Sequence, residues 1–314
     1  FHMTYSVGDR VSVQFAGSTY EGIVLPSDNA LVLKLKSGYN ISLDKKKVKV
    51  KVLGKHVTKK ISKKVKQNKK LKKIIILHTG GTIASKVDYS TGAVISQYGP
   101  DDLLQMFPEL NKLAYIESRL VANMSSEMMR FDHYNILAKE VEKEIKKGAA
   151  GIIITHGTDT LHYTSAALSF ALENLPIPVI IVGSQRSSDR GSSDSFLNLM
   201  SAVYFITKSS WSGVGICMHE TKEDLGSWIL PGTNARKLHT SRRDAFKPIN
   251  QEPVARVNFE KKHVDMLQEN KSTGKFTTKK FNEKLKIRIC RLHTHMYASE
   301  ILAFRDKACD EYHT

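Results

Sequence analysis

Hydrophobic positions follow two patterns that divide the chain near residue 56. Ahead of it, apolar and polar residues alternate in short runs: VGDRVSVQFAG, STYEGIVLPSD, ALVLKLKSGYNISL and VKVKVL. Val11, Val13 and Phe15 keep a period of two, and glycines at 8, 17, 22 and 38 punctuate the runs. Alternation buries one face of a strand and wets the other, so this part reads as tightly turned antiparallel strands closed into a small N-terminal β-barrel. Past residue 73 the apolar runs become continuous: KIIILH at 73–78, AGIIITH at 150–156, PVIIVG at 178–183 and VGICMH at 214–219. Strands that are apolar on both faces belong to a parallel sheet covered on both sides. Helical periods lie between them. One is expected from an N-cap at Asp132 to Gly148, with Ile136, Leu137, Val141 and Ile145 on one stripe, and two more at 160–174 and 194–208. The βαβ series predicts a doubly wound α/β domain with its ligand site beyond the carboxyl ends of the strands.

Charge sharpens the boundary between the two patterns. Fifteen lysines and no acidic residue stand between Lys45 and Lys73. The 314-residue chain carries 48 Lys and Arg against 31 Asp and Glu, a formal charge of +17; without that stretch the balance is 33 to 31. Like charges at this density repel in a compact fold, and KKISKKVKQNKKLKK has little to bury, so residues 56–73 read as a solvated Lys-rich linker. The same arm could attract phosphate without reading sequence, which would give salt-dependent RNA affinity. Both readings stay open.

The remaining composition excludes several classes. With 41% hydrophobic and 25% charged residues, the chain is neither disordered as a whole nor collagen-like. No apolar run approaches the ~20 residues of a membrane-spanning helix, and the start lacks a signal-peptide pattern, Phe1 and His2 being set aside as a cloning scar. Cys217, Cys290 and Cys309 are odd in number and far apart without CxxC spacing, which suggests neither a disulfide framework nor a zinc site and makes a reducing cytoplasm the expected setting.

Two of the expected strands end in related loops. IIILH runs into Thr79-Gly80-Gly81-Thr82, and GIIITH runs into Gly157-Thr158-Asp159-Thr160. Glycines let the backbone approach a ligand and leave main-chain N–H groups free, while the threonines set hydroxyls at the same mouth. Neither loop is GxGxxG or GxxxxGK[ST], so a dinucleotide or P-loop reading fails on spacing. On pattern alone, tight strand-to-helix turns with threonine caps fit equally well. His156 and His162 flank the second loop without metal-ligand spacing, and the His293–His295 pair has no nearby carboxylate or cysteine, so no metal site is expected.

TGGTIAS at 79–85 and THGTDT at 155–160, 76 residues apart, resemble the paired signatures of the bacterial-type asparaginase and glutaminase family, in which threonine is the nucleophile. RKLHTSRRDAF at 236–246 is similar to the segment that supplies the family's lysine. VDYSTGAV, KLHTSRRDAFKPIN and the small barrel narrow the resemblance to the branch formed by the glutaminase subunits of archaeal glutamyl-tRNA(Gln) amidotransferases, over about residues 3–290. The resemblance implies that Thr82, on a lid loop with Tyr89, attacks a side-chain amide. Thr158, Asp159 and Lys237 would form the second catalytic set, and Ser126 and Glu127 in NMSSEMM would hold the α-carboxylate and α-amino group. A main-chain N–H of the Thr158 loop would be the oxyanion donor. The chemistry is coherent, because an aliphatic hydroxyl needs a neighbouring base or cation before it can act as a nucleophile at neutral pH. Taken singly, each residue also fits a plain structural role as a cap, a surface lysine or a turn serine.

The resemblance also implies glutamine as substrate and ammonia as product, passed to a partner, the amidotransferase E subunit, which activates glutamate on misacylated tRNA. ATP and magnesium would belong to that partner, with no cofactor in this chain. Most tRNA contacts would be the partner's too, and the assembly would be a homodimer within a heterotetramer. Two rival readings remain: a free-standing L-asparaginase with an accessory barrel, and a catalytically silent RNA-binding or assembly protein. The expected organisation is an SH3- or Tudor-like barrel at 3–55, the linker at 56–73, an asparaginase-like catalytic domain at 74–256, and a polar linker with the start of a second α/β domain at 257–314, most of that domain being absent. Its visible part would be a short strand, LKIRICRL, and a helix, SEILAFRDKAC.

Overall fold

The computed structural model describes residues 5–37, 39–55, 65–81, 83, 85–87, 94–96, 103–104, 106–188, 191–285, 287 and 289–311. Strands β1 (Asp9–Phe15), β2 (Ser18–Leu25), β3 (Leu31–Leu35), β4 (Asn40–Leu43) and β5 (Lys49–Lys55) form an antiparallel sheet in the order β4-β3-β2-β1-β5. Ala16 and Gly17, with φ of 48° and 80°, make the two-residue turn between β1 and β2, where both central residues need positive φ. The expected alternation holds, and Val11, Val13, Val24, Leu31, Leu33 and Leu43 gather into one buried cluster. The cluster draws on β1 to β4, with Val50 of β5 packed against it, and no ladder joins β4 to β5 among the described residues.

The continuous apolar runs build the second sheet. Its strands are β6 (Lys73–His78), β7 (Tyr115–Leu120), β8 (Gly151–Thr155), β9 (Pro178–Val182), β10 (Gly213–His219), β11 (Ser227–Pro231), β12 (Ala255–Asn258) and β13 (His263–Met266), in the order β13-β12-β11-β10-β9-β8-β6-β7. Five of them, β7, β6, β8, β9 and β10, are parallel. Their order is 2-1-3-4-5 in chain sequence, so the direction of winding reverses between β6 and β8. Helices α1 (Phe131–Lys146) and α2 (Leu161–Ala171) cover one face through Leu137, Val141, Leu161 and Leu168. Helix α3 (Ser195–Lys208) covers the other through Leu199, Val203 and Phe205. The sheet is doubly wound, as the pattern predicts.

Several elements differ from the sequence reading, each for a physical reason. Strand β7, YIESRL, lies at the sheet edge and is polar because Arg119 pairs with Glu144 of α1 at 3.1 Å and Lys73 pairs with Glu117 at 2.9 Å. The N-cap of α1 lies two residues before the expected one: Arg130 holds that position, its N–H donating to His133 Nδ1 at 3.1 Å, and Asp132 sits in the first turn beside the positive end of the helix. The buried stripe of α1 contains Tyr134, Ala138 and Glu144, while Ile136 is exposed. Gly148 takes the left-handed conformation expected past the helix end, with φ of 80°. Helix α2 stops at Ala171, after which Leu172–Glu173 pairs with Thr277–Thr278. The described residues of LKIRICRL join no ladder, and the following helix, α4, spans Ala298–Glu311. No helix among the described residues is long and apolar enough to cross a membrane.

Candidate active site

The two motif loops leave the sheet from β6 and β8, the neighbours between which the winding reverses, where doubly wound sheets open a ligand crevice. They are fastened to each other at once. Thr79 donates its backbone N–H and its Oγ1 to the Thr155 carbonyl at 3.1 and 2.8 Å, and His78 Nδ1 meets Thr155 Oγ1 at 2.9 Å. Gly80 and Gly81 adopt φ of 116° and 81°. A Cβ on Gly81 would stand 2.7 Å from Gly157 N and 2.8 Å from the His156 carbonyl, and one on Gly80 would stand 2.4 Å from the Met124 carbonyl. A Cβ on Gly157 would in turn lie 2.8 Å from that of Ser126. Three backbones therefore interlock with no room for a side chain, and this close approach is what the glycines of both motifs permit. Burial holds His78 and His156 neutral, each with its pKa pulled down to about 4.

Lys237 reaches this mouth from a different direction. It ends the first strand of a hairpin, Ala235–Lys237 paired with Phe246–Pro248. Its Nζ donates to Thr158 Oγ1 and to Asp159 Oδ1, each at 2.8 Å, with the lysine side chain nearly buried and the aspartate open to solvent. The hairpin is clamped by the loop after β10: Arg243 donates to Asp224 Oδ1 at 2.6 Å and to the Lys222 carbonyl, and Lys247 donates to the Glu220 carbonyl at 3.1 Å. Asp224 also meets His219 Nε2 at 3.1 Å.

Of the residues singled out from the sequence, Thr158, Asp159, Lys237, Ser126 and Glu127 share this region. Ser126 is buried, and its carbonyl accepts the Thr160 hydroxyl at 2.6 Å. Glu127 accepts the Ser125 hydroxyl, which together with its own backbone N–H pulls its carboxyl pKa down; Asp159 pushes that pKa up and Lys237 pulls it down, so the three charges feel one another. Thr82 and Tyr89 lie outside the described residues.

The structure adds a third strand-end loop, which follows β9. Thr158 Oγ1 donates to Gln185 Oε1 at 3.2 Å. Gln185 is held by the fully buried Asp194, whose carboxylate accepts the N–H groups of Gln185 and Arg186 at 3.0 Å each and the Ser184 hydroxyl at 2.9 Å. The signal for this loop was available, since PVIIVG ends where a parallel strand presents its carboxyl edge.

The 2-1-3-4-5 sheet thus carries paired glycine–threonine loops at its reversal, and the second of them holds a lysine–carboxylate–threonine cluster. Residues 73–272 match the family described as Asparaginase, N-terminal, and residues 5–53 match the GatD N-terminal domain. The chain is 43% identical over 307 residues to the D subunit of glutamyl-tRNA(Gln) amidotransferase from Methanococcus maripaludis strain C6, covering 95% of this chain and 73% of that protein. It therefore belongs to the family of glutamyl-tRNA(Gln) amidotransferase D subunits. The D subunit of Methanosarcina barkeri is likewise 43% identical, over 83% of this chain and 65% of its own length. Among solved structures, the thermostable L-asparaginase of Thermococcus kodakarensis is 31% identical with a TM-score of 0.58, covering 66% of this chain and 60% of the asparaginase. L-asparaginase I of Vibrio cholerae, at 24% identity and a TM-score of 0.63 over 74% of this chain and 67% of its own, shares the fold.

Proposed function

We propose that this chain is the glutamine-hydrolysing subunit of a tRNA-dependent amidotransferase, releasing ammonia that a partner subunit uses to convert Glu-tRNA(Gln) to Gln-tRNA(Gln). The observation that carries the chemistry is Lys237 Nζ at 2.8 Å from both Thr158 Oγ1 and Asp159 Oδ1. An ammonium donating to a threonine oxygen stabilises negative charge there and lowers the cost of moving a proton off a neighbouring hydroxyl. Thr82 is the nucleophile in this reading, on the loop rooted at Gly80 and Gly81, with Tyr89 on the same loop. Its attack on the side-chain carbonyl forms an ester and expels ammonia; water assisted by the Thr158–Lys237 pair then releases glutamate. A main-chain N–H of the Thr158 loop supplies the oxyanion donor. Asp159 and Glu127, two carboxylates in mutual electrostatic reach, suit the cationic α-amino group, and Ser126 suits the α-carboxylate.

The partner in this reading is the amidotransferase E subunit, which carries the ATP and magnesium chemistry and most tRNA contacts, with two copies of each chain in the assembly. The test is ammonia release from glutamine by the purified protein, with and without the partner and Glu-tRNA. Release that rises when both are added is the expected result. Robust asparagine hydrolysis by the chain alone, indifferent to the partner, would instead favour a free-standing asparaginase.

A further inference from the structure

Gln185 plays no part in the reading above, yet it touches the centre of the site. Its Oε1 lies 3.2 Å from Thr158 Oγ1. Lys237 donates to the same Oγ1, so the threonine's own proton needs an acceptor, and Oε1 is the one in reach. That choice of amide orientation leaves Nε2 buried without a hydrogen-bond partner. A buried donor left unpaired costs stability, which an apolar side chain of similar length would not. The loop nevertheless holds the residue in place through the buried Asp194, which accepts the Gln185 N–H at 3.0 Å while also taking Asn198 Nδ2 at 3.1 Å. The residue is thus kept for its oxygen at the expense of its nitrogen.

We propose that Gln185 is a positioning residue for the amide hydrolysis: by accepting the Thr158 proton it fixes the hydroxyl rotor and leaves the second Oγ1 lone pair for the reacting groups. This rests on the hydrolase reading. With its proton on Gln185 and one lone pair on Lys237, the half-exposed Thr158 presents to the crevice only an acceptor, which orients an attacking hydroxyl or water by accepting its hydrogen bond without taking its proton. Without Gln185 the hydroxyl turns its proton toward Asp159 or into the crevice and blocks that position.

Two substitutions test the role, with glutamine hydrolysis measured on the full protein, alone and with its partner subunit. Gln185→Leu removes acceptor and orphan donor together. It should lower kcat about tenfold or more with KM within about threefold, while Tm stays level or rises. Gln185→Glu keeps an acceptor while ionised and should restore kcat to within about threefold of wild type. It should also add an acid limb to the pH profile, because a protonated glutamate donates where the amide accepted. That carboxyl would face Lys237 from the hairpin, Asp159 from the loop after β8, Asp194 from the head of α3 and Arg186 beside it. Wild-type kcat in Gln185→Leu, a fall in Tm accompanying its fall in kcat, or a Gln185→Glu enzyme as slow as Gln185→Leu would each overturn the proposal. A wild-type protein that hydrolyses neither glutamine nor asparagine removes the hydrolase reading itself, and is told apart by its parent activity.

Discussion

The N-terminal sheet and the large sheet bury their aliphatic side chains equally well, Val13 and Ile153 both being inaccessible, but they connect their strands in opposite ways. In the first, successive antiparallel strands are joined by turns as short as Ala16-Gly17, which use up the chain at the sheet edge. In the second, parallel neighbours such as β6 and β8 need crossovers, so several loops emerge together at one edge without being consumed by turning. Thr79, Thr158 and Gln185 all stand on such loops. Burial alone does not build a site; the direction of the strands decides where spare backbone collects.

The largest expected difference between the regions is catalytic. Lys237→Ala should cut glutamine turnover by about 10³-fold, roughly 4 kcal/mol of transition-state stabilisation, with little change in fold by circular dichroism. Turnover within a few-fold of wild type would remove Lys237 from the mechanism. Next comes pH. His78 and His156 have pKa values of about 4 in the folded chain, against 6.5 for a free histidine. As pH falls below about 6.5 the unfolded chain takes up protons that the folded one refuses, so stability is complete above that value and drains away toward pH 4, by about 3 kcal/mol per histidine. The described N-terminal sheet contains no histidine, so local unfolding there, followed by hydrogen exchange between pH 7 and 5, should stay flat while the large domain weakens. Equal weakening of both would contradict the assignment.

A smaller contrast lies in two glycines of similar φ. Gly81→Ala must strain the backbone and push against Gly157 and His156, at about 3 kcal/mol or more, whereas Gly17→Ala meets nothing within 4 Å and should cost only about 1 kcal/mol from its φ of 80°. Denaturant midpoints of the two variants measure the gap, and similar midpoints would mean that the three loops are not interlocked. Smallest in its effect on chemistry is Val13→Ala, which should cost about 2 kcal/mol in the N-terminal sheet and leave kcat within twofold. A large loss of kcat would show that the site depends on that sheet.

The sequence made some of this plain and hid the rest. Strands β6, β8, β9 and β10 were legible because a central parallel strand is apolar on both faces, and their order fixed where the loops converge. Strand β7 was not legible, since Arg119, Glu117 and Ser118 break the run; the charged pair among them serves ion pairs with α1 and β6 that only the folded chain brings together. The antiparallel continuation through β11, β12 and β13 also escaped, for its runs are short and interrupted. Thr158 and Asp159 announced themselves by their place at a strand end, but Lys237 was reachable only through the family resemblance, because a lysine in a polar hairpin looks like any other. Gln185 gave no signal by type, as an amide neither titrates nor belongs to a motif.

Thr158 and Lys237 are 79 residues apart in the chain. That separation sets a clock on synthesis. At ribosomal rates of about 5–20 residues per second, the threonine leaves the ribosome some 4–16 seconds before the lysine that completes its cluster. During that interval the interlocked loops of β6 and β8 can already be in place while the Thr158–Lys237 hydrogen bond is not. A nascent chain thus has its crevice before its lysine, which arrives only when the hairpin folds back over α2.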